Sequence, residues 1–206
     1  MGIYTKHLAP RLINLACGSP AIQRWRRDVC VGLRGTVVEI GFGSGRNVPF
    51  YPDEVTNVLA LEPSSLAWRL GAKRIAASVI PIEQIGLDGQ SIPLLDQSCD
   101  AALLTFTLCT IPDPVAALLE IMRVLRPGGE LHFLEHGLAP DAKTALRQHR
   151  LDPLEQRLAD GCRLTRRPLE LITSAGFISQ WKHEQFVKGP KPWSYFTLGV
   201  VTRPAN

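Results

Sequence analysis

Three glycines separated by single residues follow directly after an apolar stretch. Gly41, Gly43 and Gly45 end the segment VVEIGFGSG, in which Glu39 is the only charged residue. A β-branched, apolar stretch of this kind predicts a buried strand that ends in a loop. Glycine permits positive φ angles and lets a ligand approach the backbone closely. The motif therefore predicts a binding loop at the carboxyl end of a strand.

Two classes of ligand bind to a glycine loop between a strand and a helix. Dinucleotides require the spacing GxGxxG, with the helix N-terminus directed at the pyrophosphate. Here Arg46 stands where the last glycine of that fingerprint belongs, which disfavours an NAD-dependent oxidoreductase. The other class binds S-adenosylmethionine, which has no phosphate. Its methionine and ribose parts need the close backbone approach that glycine permits.

Two carboxylates further along the chain are placed to contact the same ligand. Glu62 ends a second apolar stretch, LALEP, where its carboxylate could accept hydrogen bonds from both ribose hydroxyls. Asp88 begins the segment DGQSIPLLDQSCD, where a carboxylate could accept a hydrogen bond from an adenine amino group. An acid at a strand end is also compatible with NAD binding or with a structural role. Only the glycine loop, Glu62 and Asp88 together therefore indicate S-adenosylmethionine.

Apolar stretches and helical patterns alternate along the whole chain. Strands are predicted at 36–40, 57–61, 78–82, 101–106, 130–134, 178–184 and 195–201, and helices at 3–15, 20–33, 65–77, 113–125, 141–150 and 167–175. This order predicts an α/β, Rossmann-like fold. Its seven-stranded sheet is mostly parallel, has helices on both faces and ends in an antiparallel hairpin. Ligands bind such a sheet at the carboxyl ends of its strands.

Four segments in this order resemble the class I S-adenosylmethionine-dependent methyltransferases. These are EIGFGSG, LEP, DGQSIPLLDQSCD and RVLRPGG, and the resemblance covers residues 36–136. It implies S-adenosylmethionine as cofactor and S-adenosylhomocysteine as product. The implied cofactor-binding residues are Glu39, Gly41, Gly43, Gly45, Glu62, Pro63, Asp88, Gly89, Thr105 and Leu108. It also implies one methyltransferase domain at 1–206, with a helical lid (1–35), a cofactor-binding core (36–136) and acceptor-side helices and terminal strands (137–206).

A narrower resemblance concerns the methyl acceptor. TFTLCTI, FLEH, LDP and DGCRLTR look like segments of small thiol methyltransferases, which in turn resemble the ubiquinone and menaquinone C-methyltransferases. The resemblance implies a small, apolar acceptor, with a thiol as first choice. C- or O-methylation of a quinone, phenol or lipid-like acceptor is the alternative. A protein of another class, which binds the cofactor or RNA without catalysis, is disfavoured because Trp25 is the only aromatic residue among the N-terminal arginines.

Candidate catalytic and acceptor-binding residues come from the same edge of the predicted sheet. Glu135 and His136 follow the fifth strand, and an imidazole can take a proton near neutral pH. His136 could equally fix the turn at Gly137. The predicted acceptor pocket consists of Tyr4, Cys109, Cys162 and Trp193, although Tyr4 could equally be a surface aromatic, Cys162 part of a plain turn and Trp193 the start of a strand. For Cys109, packing as a small apolar residue is favoured over a nucleophilic role.

Composition narrows the remaining functions. Five cysteines are scattered over 206 residues, without CxxC or another zinc-ligand spacing, so we expect reduced thiols, no metal site and a cytoplasmic location. No apolar stretch reaches the roughly 18 residues of a membrane span. Residues 1–35 contain six basic residues and one acidic residue. This segment is predicted to close over the cofactor, with Ile3, Leu8, Leu12, Leu15 and Ala16 towards the methyl group and its arginines outside, where they could contact an anionic membrane surface.

Overall fold

The computed structural model describes residues 8–205, which fold around one seven-stranded sheet. The strands are β1 (Gly35–Ile40), β2 (Val55–Leu61), β3 (Ile82–Gly86), β4 (Cys99–Thr105), β5 (Leu125–His136), β6 (Ile178–Phe186) and β7 (Tyr195–Thr202). The helices are α1 (Ala9–Ala16), α2 (Pro20–Cys30), α3 (Ser65–Ala76), α4 (Pro114–Val124), α5 (Ala142–Leu158) and α6 (Pro168–Ser174), with short 3-10 helices at Val48–Phe50 and Lys191–Trp193.

The sheet has the strand order β3-β2-β1-β4-β5-β7-β6. The first five strands are parallel, and β7 runs antiparallel to both of its neighbours, β5 and β6. The predicted Rossmann-like sheet with a terminal antiparallel hairpin is therefore confirmed. The chain reverses its strand order between β1 and β4, which places the glycine loop at the switch point where such sheets bind ligands.

Central strands are buried on both faces, which explains their continuous apolar sequences. Val38 and Leu104 face a core that contains α4 and α6, whereas Val37 and Leu103 face a second core that contains α2. Full burial of one such side chain stabilises the fold by about 1.5–3 kcal/mol. The two cores fix the central strands between helices, so that the ends of these strands remain free to bind ligands.

Several predicted boundaries differ from the structure. The third strand lies at Ile82–Gly86 instead of 78–82, because Ser78 forms a turn in which its hydroxyl donates to Ile80 O at 2.8 Å. Helix α5 continues to Leu158, beyond the predicted end at residue 150. The first predicted helix, 3–15, is observed as Ala9–Ala16, and its beginning lies outside the described residues. Within residues 8–205, no helix combines the length and apolar character that a membrane span requires.

Candidate active site

A cavity of about 530 Å³ lies at the carboxyl ends of β1, β2 and β4. Its wall contains the glycine loop after β1, Glu62 and Pro63 after β2, and Asp88 and Gly89 after β3. Thr105 contributes from the end of β4. The cavity therefore brings together predicted cofactor residues from four strands.

The three glycines of the loop are required for different reasons. All have positive φ, at 72° for Gly41, 61° for Gly43 and 67° for Gly45. A Cβ atom on Gly41 would overlap the side chain of Thr107, and one on Gly45 would lie 3.0 Å from the Phe42 ring. A Cβ on Gly43 would meet only Gly41 O, at 3.8 Å, and Gly43 lines the cavity. Gly43 is thus the glycine that leaves room for a ligand, whereas Gly45 does not line the cavity.

Glu62 is fixed by the loops on either side of it. Its Oε2 accepts a hydrogen bond from Gly43 N at 2.6 Å, and its Oε1 accepts one from Ser64 N at 2.7 Å. Burial raises the pKa of Glu62, and the two backbone donors oppose that shift. Each carboxylate oxygen keeps a further lone pair, so Glu62 can still accept the two ribose hydroxyls that the sequence analysis assigned to it.

The predicted adenine segment closes the far side of the cavity. Asp88 is exposed, and its Oδ1 accepts a hydrogen bond from Gln90 N at 2.8 Å. A Cβ on Gly89 would approach Ile40 Cγ2 to 2.7 Å, so only glycine lets this loop pack on the end of β1. Asp160 also lines the cavity from the turn after α5.

Besides Gly45, two predicted cofactor residues do not line the cavity. Glu39 is buried beneath it and accepts hydrogen bonds from Asn47 Nδ2, at 2.9 Å, and from the Tyr51 hydroxyl. Burial raises the pKa of Glu39 to about 7. Leu108 is fully buried in the core against α4. Neither side chain lines the cavity, because the pairing of β1 directs Glu39 into the interior and the turn after β4 buries Leu108.

Arg26 is a cavity residue that the sequence analysis did not identify. One of its guanidinium nitrogens donates to Asn47 Oδ1 at 2.8 Å and to Thr105 Oγ1 at 2.9 Å. The side chain is buried, contrary to the expectation that the N-terminal arginines lie outside. Its sequence context showed only a basic stretch. The contacts with Asn47 and Thr105 bridge residues far apart in the chain, so no local pattern could indicate them.

The side chains around the cavity fit S-adenosylmethionine. Within residues 8–205, Arg26 Nε is buried without a hydrogen-bond partner, and this cation can complement the carboxylate of the methionine part. Glu62 provides acceptors for the ribose, and Gly43 leaves space at the loop. Glu62 thus complements the ribose, Arg26 complements the carboxylate of the methionine part, and Gly43 lets the cofactor approach the loop backbone.

A second cavity of about 340 Å³ adjoins the first. Both cavities share Ile13, Cys17, Phe106 and Thr110, so the second opens next to the cofactor. The predicted acceptor residues Cys109, Cys162 and Trp193 all line it, as do His136 and Glu155. Tyr4, the remaining predicted pocket residue, lies outside the described residues.

Of the candidate catalytic pair, Glu135 points into the interior and His136 points into the second cavity. Glu135 is completely buried and lines neither cavity. Its Oε1 accepts hydrogen bonds from Thr107 N at 2.7 Å and Leu108 N at 3.1 Å, which fixes the loop after β4. Burial raises the pKa of Glu135 to about 7. Only His136 is placed to meet an acceptor.

His136 lies beside two cysteines. Its Nε2 is 3.2 Å from Cys162 Sγ. A hydrogen bond from Cys109, together with the imidazole, lowers the pKa of Cys162 to about 5. Burial lowers the pKa of His136, but the contact with Cys162 outweighs it, so the pKa is raised. These residues come from three separate elements, so no spacing along the chain predicts that they meet.

Helix α1 covers the junction of the two cavities with only part of the predicted stripe: Ala16 lines the second cavity, Leu8 is exposed, and Ile3 lies outside the described residues. Leu12 and Leu15 are 48% and 74% exposed, whereas Ile13 lines both cavities. Asn14 connects the helix to the glycine loop: its Oδ1 accepts from Ser44 Oγ at 2.6 Å and from Arg46 Nε at 3.0 Å. These contacts, not a leucine stripe, hold α1 over the site.

Similarity to known proteins agrees with this geometry. A family described as methyltransferase domain matches residues 38–133. Thiol S-methyltransferase TMT1B of Rattus norvegicus is 33% identical over 168 residues, which are 80% of this chain and 67% of that protein. Demethylmenaquinone methyltransferase of Paenarthrobacter aurescens (strain TC1) is 31% identical over 143 residues, covering 65% of this chain and 54% of that protein.

Solved structures share the fold. A SAM-dependent methyltransferase from Thermotoga maritima superposes with a TM-score of 0.65 at 22% identity, covering 94% of each chain. A geranyl diphosphate methyltransferase in complex with SAM gives a TM-score of 0.66 at 14% identity, covering 89% of this chain and 84% of that chain. The chain belongs to the class I S-adenosylmethionine-dependent methyltransferases, with S-adenosylmethionine as its methyl donor.

Proposed function

We propose that this methyltransferase transfers the methyl group to the sulfur of a small, apolar thiol. The observation that carries the proposal is the second cavity, which adjoins the cofactor cavity and is lined mainly by apolar side chains. Its volume of about 340 Å³ suits a small ligand. The similarity to thiol S-methyltransferases supports a sulfur acceptor.

Methylation of a thiol requires little catalysis from the protein beyond positioning. The sulfonium cofactor is a strong electrophile, so the protein must mainly hold the nucleophile in line with the methyl group and exclude water. Positioning of this kind can contribute about 7–11 kcal/mol. A free thiol, with a pKa of about 8.5, is already a few per cent thiolate at neutral pH. An apolar cavity beside the methyl donor is therefore sufficient for slow transfer, and activation of the thiol would accelerate it.

A quinol is the second candidate acceptor, because demethylmenaquinone methyltransferases are also similar to this chain. Carbon or oxygen methylation of a ring would need a base to remove a proton. His136 and Glu155 line the second cavity, and either could serve as that base. The two candidates thus differ in how strongly they require proton transfer.

The acceptor can be determined with methyl-labelled S-adenosylmethionine and three acceptors: an alkyl thiol, a quinol and a phenol. We expect label in the thioether. The proposal fails if the quinol or the phenol is methylated and the thiol is not.

A matched pair of variants locates the acceptor. Trp193→Ala removes a wall of the second cavity and should raise KM for the thiol without changing cofactor affinity. Trp181→Ala, a similarly exposed tryptophan on β6 that lines neither cavity, should change neither value. Equal effects of the two variants would place the acceptor elsewhere.

A further inference from the structure

Three potential metal ligands meet at the second cavity. Cys109 follows β4, His136 ends β5 and Cys162 follows α5. Two thiol sulfurs and one ring nitrogen from these residues all lie within 4.8 Å of one another. Among residues 8–205, no other group of three His, Cys, Asp or Glu side chains is gathered this closely.

The spacing and the ligand types correspond to zinc. Zinc binds sulfur at about 2.3 Å and nitrogen at about 2.0–2.1 Å in a tetrahedron, which places neighbouring ligand atoms roughly 3.4–3.8 Å apart. In the structure the three ligand atoms lie within 4.8 Å of one another, and His136 Nε2 is 3.2 Å from Cys162 Sγ, so small shifts would bring them to that spacing. Soft thiolates and an imidazole favour zinc over magnesium or calcium, which prefer oxygen ligands. Two cysteines and one histidine also form a known type of catalytic zinc site, in which the fourth position stays open.

Backbone contacts hold the three ligands in place. Arg163 N donates to Cys109 O at 3.0 Å, which ties the Cys109 loop to the turn that carries Cys162. Cys162 N donates to Ala159 O at 3.0 Å within that turn. His136 is paired with Phe196 in the sheet. The ligand atoms therefore converge without requiring a change in the fold.

We propose that Cys109, His136 and Cys162 bind one zinc ion, whose fourth position faces the second cavity and takes the sulfur of the acceptor. This inference rests on the proposed thiol acceptor. All three ligands line the cavity, so an open coordination position is reached from the acceptor side. The site would hold the sulfur as a thiolate beside the cofactor.

The transfer then balances without a change of oxidation state at the metal. The acceptor thiol loses its proton to solvent and its sulfur binds zinc. A sulfur lone pair forms the new bond to the methyl carbon, while the bond between that carbon and the sulfonium breaks. Its electron pair stays on the cofactor sulfur and gives S-adenosylhomocysteine. The neutral thioether is a weaker ligand than the thiolate and leaves.

The first test measures zinc in the purified full-length protein after growth with added zinc. We expect one zinc per chain in the wild type and loss of that zinc in Cys109→Ser and Cys162→Ser. Cys99→Ser is the control, because Cys99 is also buried but lies outside the cluster. Thermal melting and cofactor titration check that each variant is folded. Wild-type protein that takes up no zinc, even after direct loading, overturns the proposal.

The second test separates the metal from the acceptor. In cobalt-substituted protein, addition of an alkyl thiol should change the visible absorption of the metal if the thiol occupies the fourth position. An unchanged spectrum would refute that occupancy.

Removing zinc with a chelator should slow thiol methylation at pH 7 by roughly thirty-fold, because a free thiol of pKa about 8.5 is only about 3% ionised there. The loss should shrink above pH 9. If zinc-free protein methylates the thiol at the full rate, the zinc proposal fails and the thiol function stands. If zinc-loaded protein methylates no thiol, the thiol function fails, and with it the role assigned to the fourth position.

Discussion

At the scale of single residues, Gly43 tests whether the glycine loop contacts the ligand, because its open side faces the cavity and not another side chain. Gly43→Val should raise the Kd for S-adenosylmethionine at least about tenfold, a loss of about 1.4 kcal/mol, because the valine side chain projects into the cavity. Gly128→Val is the matched control. Gly128 also has positive φ and open space around it, but it lies outside the cavity. Calorimetric titration of both variants checks this, and equal Kd values would exclude close approach at Gly43.

Glu39 makes a separate contribution, to stability instead of binding. Its pKa is about 7 in the folded protein because it is buried, against 4.5 as the ordinary value. The folded state therefore keeps the proton as pH rises from about 4.5 to 7 while the unfolded state loses it. The free energy of unfolding should fall by about 3 kcal/mol over this interval from this group alone.

Glu39→Gln cannot ionise, and its amide imitates the protonated acid. Its free energy of unfolding should fall less between pH 5 and pH 8 than that of the wild type, as measured by urea unfolding. Glu54→Gln, on an exposed side chain, should keep the wild-type pH dependence. A wild-type slope in Glu39→Gln would show that Glu39 ionises normally in the fold.

At the scale of elements, apolar periodicity predicted the sheet well and the long-range contacts poorly. Strand β4 is buried along nearly its whole length, so its apolar sequence marks it clearly. Strand β3 is partly exposed and contains Glu83 and Gln84, which explains why its position was predicted wrongly. Helix α5 continues past the predicted end at residue 150 with Pro153 inside it. Its buried Gln148 donates to Gly137 O and Pro192 O, tertiary contacts with no sequence signature.

The candidate site also combines residues that local sequence patterns predicted with residues that only long-range contacts bring together. Glycine spacing and the strand-end acid predicted Gly43 and Glu62, each of which stands in a short motif directly after a strand. Arg26 and the Cys109–His136–Cys162 cluster come together only through the packing of distant elements, so their spacing along the chain carries no signal.

Helix α1 provides an element-scale prediction. Asn14→Ala removes the acceptor for Ser44 Oγ and Arg46 Nε and so weakens the connection between α1 and the glycine loop, in which Arg46 Nη2 still donates to Asn14 O at 2.8 Å. A hydrogen bond to a charged group contributes about 1.5–3 kcal/mol, so KM for S-adenosylmethionine should rise by roughly tenfold or more. Arg11→Ala on the exposed face of the same helix is the control. Steady-state kinetics in which the two variants behave alike would show that Asn14 does not hold the helix.

At the scale of the whole molecule, charge on the N-terminal helices is arranged differently from the sequence-based expectation. Arg26 is buried, but Arg11, Arg24 and Arg27 are exposed on α1 and α2. Leu12 and Leu15 are exposed on α1 as well. A segment with exposed cations and exposed leucines has the composition that binds an anionic membrane surface. Membrane contact through this segment therefore stays a prediction, now with three specific arginines.

We expect the full-length protein to sediment with vesicles that contain phosphatidylserine and not with vesicles of phosphatidylcholine alone. Each well-placed basic residue contributes about 1 kcal/mol, so replacing Arg11, Arg24 and Arg27 together by serine should weaken binding by up to about 3 kcal/mol, with high salt acting in the same direction. The matched control replaces Lys143, Arg147 and Arg150, three exposed cations of α5, and should bind like the wild type. Equal weakening by both triple variants would reduce the effect to net charge, and would leave the N-terminal helices with the single task of covering the cofactor.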